Sequence, residues 1–439
     1  MNASHWRFLL PSLTGLVVFL FPVFLEDRQT IVFGLLTDGL RDALSPWLFE
    51  GLLVLLTVAG LGSLGFKLVG WQFREGSLTA LAFDTGWVWV GLRVAGFATG
   101  LSVYFQVGPE VVYASNTGVM VFNDIGISML IIFVVGIGLM PLLTDYGLLE
   151  FVGTLARRVF KVLFRLPGRA VVDTIASIVS ASSVGLLVTL FQFDRGFYNA
   201  REASIIACNF SIVSIPFCLL IADVARLQQV FFGWYVSVVV ACLICAAILA
   251  RIRPLAGIEP VYLVDIERVE EEVPSTVGAA YAAAVMKAGS GSGVRGYATT
   301  VWRNVVETTF GVIGPAMATA TLAAILVFYT PVFEWLTFPL EWLLQALGVA
   351  QASVIAPGFI VGFFDQFMPA IIAPTVDEDY WRFVLGGLSV TQLVFLSEFG
   401  MLVLRSKLPV DLKMLFVVFV QRTLITGPML MLAAWLVVG

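Results

Sequence analysis

The sequence predicts an all-α membrane protein with several crossing helices, organised as two repeats of opposite orientation. Its mean hydropathy is +0.96, and of its 439 residues 59% are hydrophobic and 13% are charged, which is not the composition of a water-soluble domain of this size. Long uncharged runs recur along the chain, and hydrocarbon leaves every backbone polar group to be satisfied internally, so these runs form helices. The order of segments in Asp124–Ala222 returns in Val306–Leu404. Composition therefore indicates the membrane, and the repeat indicates the architecture.

Nine apolar runs are about long enough to cross a bilayer of roughly 30 Å at 1.5 Å per residue. The first run is not followed by the small-residue cleavage site of a signal peptide, so we expect it to remain as a membrane helix. Three of the runs hold one internal charge each. The predicted spans are Phe8–Leu25, Gly51–Phe66, Thr85–Gln106, Ile125–Thr144, Ala203–Ala222, Val230–Ala250, Thr308–Phe333, Phe383–Leu404 and Met414–Val438.

Each repeat contains an apolar helix, an aromatic-rich connecting segment, a short interrupted apolar run, and a helix with polar residues in its middle. The first run is interrupted at Ser180–Ser183 and the second at Gly362–Asp365. Interrupted hydrophobic segments at matching positions in two halves are the best sequence indication of a transporter's binding site. We expect both runs to be re-entrant hairpins that return to the side from which they entered, so that each repeat has an interfacial helix, a hairpin and a broken transmembrane helix.

The basic residues predict the orientation. With a cytoplasmic amino terminus and two hairpins, most of the 25 Lys and Arg lie in cytoplasmic segments. The basic connecting segment Arg157–Arg165 then lies on the inner leaflet, and its Trp-bearing counterpart Phe333–Gln351 lies at the outer interface. The exceptions are Arg28, Arg41, Arg226 and Arg382 outside, and Arg93 and Arg422 within helices.

These assignments divide the chain into four parts: N-terminal scaffold helices in 1–120, the first repeat in 121–250, a cytoplasmic linker in 251–300, and the second, inverted repeat in 301–439. The linker carries an acidic run, Glu267–Glu272, and a Gly-Ser stretch, Gly289–Gly293. This composition predicts a polar, flexible connector, with a regulatory or docking role as the alternative.

The four cysteines fall inside predicted membrane helices, which indicates small buried apolar residues. Cys242 and Cys245 are spaced C-x-x-C but lack the polar surroundings of a redox or zinc motif. The sequence contains no phosphate-binding loop, nucleophile–base pair or metal-ligand spacing. We therefore expect neither an enzyme nor a cofactor, and an ion gradient must drive any transport.

Oxygen donors without a full charge mark the two breaks of the first repeat. A helix that ends within the membrane exposes backbone groups that bind ions and polar solutes, and hydroxyl and amide oxygens beside such ends suit Na⁺ or a polar solute. The alternative is that they only join packed helices. The donors are Ser180, Ser182, Ser183, Asn209, Ser211 and Ser214.

The second repeat places carboxylates at membrane depth. A charge at the bilayer centre costs roughly 2.5–3.5 kcal/mol on insertion scales, so Asp365 and Glu398 are expected to bind a cation or the positive end of a zwitterion, or to relay protons. An alternative is an internal ion pair with Arg93 or Arg422. These arginines are in turn candidates to hold a substrate carboxylate.

Two further features have less specific interpretations. Asp173, close to Arg169 at the mouth of the first hairpin, is interpreted as an interface residue. The spacing of Gly96 and Gly100 allows close helix approach, either in an oligomer contact or in internal packing.

The segments Ile175–Ser183, Phe197–Glu202 and Ala207–Ser211 resemble the nucleoside-recognition, or gate, domain. The whole chain, including Phe8–Gly15, resembles the YjiH family of bacterial inner-membrane proteins and is distantly similar to the concentrative nucleoside transporters. In those transporters, two inverted hairpin-plus-broken-helix repeats bind the nucleoside, and Na⁺ lies between the first hairpin and its helix. The resemblance implies a multi-pass symporter of the bacterial inner membrane.

The resemblance also implies a set of ligands, carried over by position. Ala181–Ser183 stands where the transporters have the Gln-Thr-Glu run that holds the nucleoside. The extra carboxylates of the second half point instead to a cationic or zwitterionic solute. The implied ion ligands are Ser180, Ser182, Ser183, Asn209 and Ser211, and the implied solute ligands are Ser182, Ser183, Asn209, Asp365, Gln366, Thr391, Gln392 and Glu398.

The sequence thus predicts an ion-coupled secondary active transporter that works by alternating access. Its solute is small and polar, either nucleoside-like or cationic or zwitterionic (an amino acid, dipeptide or amine), and Na⁺ or H⁺ is the coupling ion. The expected partners are the lipid bilayer, the solute and further copies in a homo-oligomer, with no nucleic acid. Two alternatives stay open: a non-transporting accessory or scaffold protein that acts with a partner, and a channel.

Overall fold

The computed structural model describes residues 3–26, 28–74, 76–171, 173–174, 182–210, 214–264, 276–289 and 294–439. Within these ranges, the side chains of residues 3, 182–184, 294, 295, 397, 398 and 401 are not described. The described part of the chain is 78% helical. Among the described residues, the strands are Pro22–Phe24 (β1) and Gln29–Ile31 (β2), an antiparallel pair in which Val23 lies opposite Thr30. The prediction of an all-α membrane fold is confirmed.

The α-helices of the described residues are numbered in chain order. In the first half they are α1 Ala3–Leu20, α2 Val32–Val69, α3 Leu78–Phe83, α4 Trp87–Phe105, α5 Glu110–Tyr113, α6 Gly118–Met120, α7 Ile127–Leu139, α8 Pro141–Thr144, α9 Leu148–Val159, α10 Ser182–Asp194, α11 Ala200–Phe210 and α12 Ile215–Val224. In the second half they are α13 Phe231–Leu249, α14 Val277–Gly289, α15 Val294–Tyr329, α16 Val332–Ala346, α17 Ala352–Gly358, α18 Met368–Ile372, α19 Asp379–Thr391, α20 Met401–Arg405 and α21 Leu412–Val437.

Six helical stretches of the described chain are long and apolar enough to cross a membrane, or seven if α11 and α12 form one bent span. Helical residues also occur in each of the nine runs predicted as spans. The six stretches are Val32–Val69, Trp87–Phe105, Glu110–Thr144, Gln228–Leu249, Gly296–Tyr329 and Leu412–Val437.

The chain forms two compact units that are interleaved along the sequence. One unit, here the core unit, comprises Met1–Val32, Met140–Gly291 and Gly358–Gly439. The other, here the scaffold unit, comprises Phe33–Leu139 and Ser292–Pro357. The division of the chain into two repeats and a linker stays a prediction.

In the scaffold unit, α4 and α15 pack so closely that one position admits only glycine. A Cβ added to Gly96 would lie 2.2 Å from the backbone oxygen of Gly314. Gly100 faces the side chains of Leu56 and Phe122. The two glycines therefore serve internal packing, one of the two alternatives drawn from the sequence, while the oligomeric state stays a prediction.

The core unit is held together by aromatic side chains from distant parts of the chain. The ring of Phe210, the last residue of α11, lies 4.8 Å from that of Phe164 and 5.3 Å from that of Phe160, both just beyond α9. Phe363 in the second interrupted run lies 5.2 Å from Phe419 in α21. Burial of such rings supplies much of the stability of a core.

The linker contains a helix, α14, which the prediction of a flexible connector missed. Alanine is the strongest helix former, and α14 buries Ala280, Ala284 and Ala288 along one face at a spacing of four residues. Tyr281 of this helix makes a hydrogen bond of 2.7 Å with His5 of α1. The start of α1 and the linker helix α14 are therefore in contact.

The two connecting segments form helices with apolar side chains exposed. Beyond the last turn of α9, which carries Arg157 and Arg158, Val162 is 66% exposed. In α16, Trp335 and Trp342 are 74% and 65% exposed. Apolar side chains on exposed helix faces, beside cations or Trp, are typical of helices at a membrane interface.

Candidate functional site

The structure describes only part of the predicted site. Ser180 and Ser211 lie outside the described residues. Ser182 and Ser183 begin α10, and Glu398 lies in a π-helical turn at Leu396–Gly400, but these three side chains are not described. Five predicted ligands have described side chains, all in the core unit: Asn209, Asp365, Gln366, Thr391 and Gln392.

The first broken helix consists of α11 and α12, whose axes differ by 41°. Asn209, in the last turn of α11, is fully buried, and its amide Nδ2 donates to the backbone oxygen of Ile205 at 3.0 Å. The last carbonyls of a helix lack intrahelical partners and carry partial negative charge. The end of α11 therefore presents acceptor oxygens inside the core unit.

The second broken helix is interrupted after Thr391, the last residue of α19. Leu393 follows with φ at +54°, a left-handed conformation that costs a non-glycine residue roughly 1–2 kcal/mol. Leu393 is 1% exposed, so its packing stabilises this conformation. Backbone strain of this kind persists where the surrounding structure imposes it, often at functional sites.

Arg422 of α21 joins the two breaks. Its side chain is fully buried. Nε donates to the backbone oxygen of Thr391 at 2.8 Å, and Nη1 donates to Asn209 Oδ1 at 2.9 Å and to the backbone oxygen of Cys208 at 3.2 Å. Arg422 makes these bonds instead of the ion pair with Asp365 considered from the sequence, so that alternative is wrong. A pairing with Glu398 stays a prediction.

The second interrupted run is broken between Phe363 and Met368, where a 3-10 turn gives way to α18. Asp365 is 8% exposed, and its Oδ1 accepts a hydrogen bond of 2.9 Å from the backbone N–H of Phe367. The hydroxyl of Ser389 in α19 donates to the backbone oxygen of Gln366. The turn is thereby tied to the second broken helix.

Two buried glutamine side-chain oxygens, one in this turn and one just after α19, have no hydrogen-bond partner among the described residues. They are Oε1 of Gln366 and Oε1 of Gln392. The amide nitrogen of Gln392 is satisfied, since it donates to the backbone oxygen of Phe359 at 2.9 Å and to Thr423 Oγ1 at 3.1 Å. Its Oε1 lies against Gly362, where an added Cβ would come within 1.8 Å of it. Buried acceptors without donors are rare in native proteins, and they are suited to N–H or O–H groups of a solute.

Asp173 is buried rather than exposed at an interface. It is 1% exposed, accepts a hydrogen bond of 2.7 Å from the hydroxyl of Tyr198, and is 3.3 Å from Nε2 of Gln192. It lies outside the candidate spans. Burial raises the pKa of its carboxyl to about 6, although these hydrogen bonds and the charge of Arg169 act in the opposite direction.

The other buried arginine, Arg93, belongs to the scaffold unit. Its Nη1 donates to Ser63 Oγ at 2.6 Å and to the backbone oxygen of Ala82 at 2.7 Å. These hydrogen bonds hold α4 to α2 and α3.

A cavity of about 850 Å³ lies elsewhere in the core unit, at the ends of α10, α11, α13 and α21. Arg253, Lys407 and mostly apolar side chains line it. None of the predicted ligands is among its lining residues.

Sequence reasoning missed the role of Arg422 as the link between the two breaks, and the hydroxyls that accompany it. Thr391 Oγ1 donates to Thr426 Oγ1 at 3.0 Å, and Thr426 donates to the backbone oxygen of Arg422 at 2.9 Å. The usable signal was the grouping of Arg422, Thr423 and Thr426 on an otherwise apolar span.

Comparison with known proteins places the first break of this site, with Asn209, in a known domain. Residues 126–227 match the model of the gate family, whose description is nucleoside recognition. The match includes Asp173 and both halves of the first broken helix. The fold and this match define the class: a multi-pass, α-helical membrane protein that carries a gate domain.

One relative is similar over nearly its full length. It is an uncharacterized protein of Alkalihalophilus pseudofirmus, 36% identical over 439 residues, and the alignment covers 99% of this chain and 95% of the relative. The chain therefore belongs to the same family as that protein. Its resemblance to YjiH-like gate-domain membrane proteins is confirmed.

Proposed function

We propose that the protein is an ion-coupled secondary active transporter of a small polar solute, in a bacterial inner membrane with its amino terminus in the cytoplasm. One observation carries the proposal: Gln366 and Gln392 each bury an unpartnered acceptor oxygen at the turn beside the second helix break. Leaving such an atom unpaired costs about 1–3 kcal/mol, so the folded chain keeps two acceptors that a solute can satisfy. The gate-domain match supports a role in transport.

The chemistry of the turn favours a solute that donates hydrogen bonds. Gln366 Oε1 and Gln392 Oε1 accept, and the Asp365 carboxylate beside them accepts and attracts positive charge. Ribose hydroxyls, base amino groups and ammonium groups all have such donors. The solute class is therefore nucleoside-like, or cationic or zwitterionic such as an amino acid, dipeptide or amine.

The chain has no phosphate-binding loop of the kind that hydrolyses ATP. An ion gradient then supplies the energy, and we propose Na⁺ or H⁺ as the coupling ion. Broken helices at membrane depth allow one part of such a protein to move against another around a fixed site.

Uptake into proteoliposomes tests the proposal. Nucleosides, amino acids, dipeptides and amines are supplied with a Na⁺ gradient, a proton gradient or neither. We expect gradient-dependent accumulation of one solute class. Uptake should be at least tenfold weaker in Gln392→Leu, because this change removes the free acceptor. The control Gln345→Leu changes an exposed glutamine bonded to Glu341 and should keep wild-type uptake.

Two outcomes count against a transporter, and a third counts against the proposed site. Uptake of no solute under any gradient would favour the non-transporting accessory protein. Currents far above carrier turnover would indicate a channel. Equal loss of uptake in Gln392→Leu and Gln345→Leu would show that the second break is not part of the binding site.

A further inference from the structure

Arg422 lies where two helices end inside the protein. Cys208 and Asn209 are in the last turn of α11, and Thr391 is the last residue of α19. The guanidinium donates to an oxygen of each of these three residues, at 3.2, 2.9 and 2.8 Å. A single side chain thus bonds to the carboxyl ends of two half-helices that belong to opposite halves of the chain.

The electrostatics of this position favour a cation. Each helix carboxyl end carries partial negative charge on carbonyls without intrahelical partners. Two such ends meeting in a buried, low-dielectric site need positive charge nearby, and the uncharged oxygens of Cys208, Asn209 and Thr391 are the ligands that an alkali cation uses. The guanidinium of an arginine keeps its positive charge in proteins. The site is therefore occupied by a positive charge that cannot dissociate from the protein.

The surroundings of Arg422 hold it in this position. The Thr391–Thr426–Arg422 series of hydrogen bonds joins α19 to α21 one turn from the guanidinium. Nη2 lies 4.0 Å from Cys242 Sγ, which brings α13 against the same group. Three helices, α11, α13 and α19, therefore contact the cation that α21 carries. A buried charge held by several hydrogen bonds has little freedom to rotate away.

We infer that Arg422 is a tethered cation that occupies the oxygen ligands between the two helix breaks, so that this site requires no dissolved ion. The arginine thereby positions the breaks. The consequence for coupling rests on the proposed function: if the protein is a transporter, Na⁺ does not couple through Asn209 Oδ1, because Arg422 already uses that oxygen.

Thermal unfolding of the purified, detergent-solubilised protein tests this inference. Wild type, Arg422→Ala, Arg422→Lys and Arg93→Ala are titrated with millimolar NaCl, KCl, choline chloride or guanidinium chloride. We expect equal wild-type unfolding temperatures in sodium and choline. Arg422→Ala should unfold roughly 5 °C or more below wild type and regain at least half of the loss when guanidinium or Na⁺ enters the vacated site.

Arg93→Ala is the matched control because it also removes a buried arginine bonded to a hydroxyl and a carbonyl, but at no pair of helix ends. It should not regain stability with any of the cations. Arg422→Lys keeps the charge without the fork of donors and should lie between wild type and Arg422→Ala. If Arg422→Ala cannot be produced as a folded protein, two measurements still test the inference. They are the wild-type sodium titration and the unfolding temperature of Arg422→Lys, which should lie below that of wild type.

A wild-type unfolding temperature that rises with Na⁺ but not with choline would overturn the inference. So would equal rescue of Arg422→Ala and Arg93→Ala, or an Arg422→Ala variant as stable as wild type. None of these measurements uses a solute, so failure of the uptake experiment leaves the tethered cation standing, and the reverse also holds.

Discussion

Single polar residues in this protein are buried with defined partners. Asp173 lies against Tyr198 and Gln192, and Gln392 bonds through its amide nitrogen while its oxygen stays free. The sequence singled out the polar residues of the second interrupted run and broken helix as a group, because polar side chains in apolar runs are easily seen. It could not assign partners, since these come from helices far away in the chain.

The pH dependence of stability is expected to change when Asp173 is replaced by Asn. Burial raises the pKa of this carboxyl from 3.8 to about 6, so the folded protein holds the proton more tightly than the unfolded chain. Stability contributed by protonated Asp173 is full below pH 3.8 and is lost as pH rises to about 6, a change of about 3 kcal/mol at most. Asp173→Asn carries no charge, so its unfolding temperature should depend less on pH between 4 and 6.

The measurement is a series of melting curves at several pH values in one buffer system. Asp84→Asn, at an exposed aspartate, is the control and should follow wild type. A wild-type profile and an Asp173→Asn profile that run parallel across this range would show that Asp173 does not titrate there.

At the scale of elements, close packing of helices depends on individual glycines. The amphipathic and apolar patterns predicted helices correctly over most of the chain, yet they did not show that α4 and α15 touch at Gly96 and Gly314. The sequence pattern did not predict the linker helix α14, because its alanines lie within a segment rich in Gly, Ser and acidic residues. Its burial against α1 and α9 makes it part of the core unit.

Gly96→Ala should destabilise the protein, whereas Gly91→Ala in the same helix should not. An added Cβ at Gly96 would lie 2.2 Å from a backbone oxygen, while Gly91 has nothing within 4 Å. Overpacking of this kind costs about 1–3 kcal/mol, and Ala at an open helical site gains up to about 1 kcal/mol over Gly. Unfolding temperatures of the two variants check this, and a Gly96→Ala protein as stable as Gly91→Ala would contradict the close approach.

At the scale of the whole molecule, both units are built from segments distant in sequence. The bond between Arg422 and Asn209 joins residues 213 positions apart. Closing such long loops costs conformational entropy, and this cost is offset only once the helices pack. The two breaks are therefore held in place only in the complete fold.

The orientation drawn from the basic residues predicts opposite locations for the two ends of the chain. Lys413 lies on the cytoplasmic side in this topology, and α21 then crosses outward. Green fluorescent protein should fluoresce when fused before Met1 and stay dark after Gly439, whereas alkaline phosphatase should be active only after Gly439. Fluorescence from both fusions would mean an even number of crossings and would reject the double-hairpin topology.

The sequence by itself determined that this is a multi-pass helical membrane protein of the gate-domain class, since hydropathy and local motifs depend on neighbouring residues and survive without a fold. It also singled out Asn209, Asp365, Gln366, Thr391 and Gln392 as polar residues at breaks. Only the tertiary structure decided that Arg422 bonds to two helix ends rather than to Asp365, that two glutamine oxygens are left free, and that Asp173 is buried. Those facts depend on which helices lie side by side, and contacts between distant segments leave little trace in the local pattern of residues.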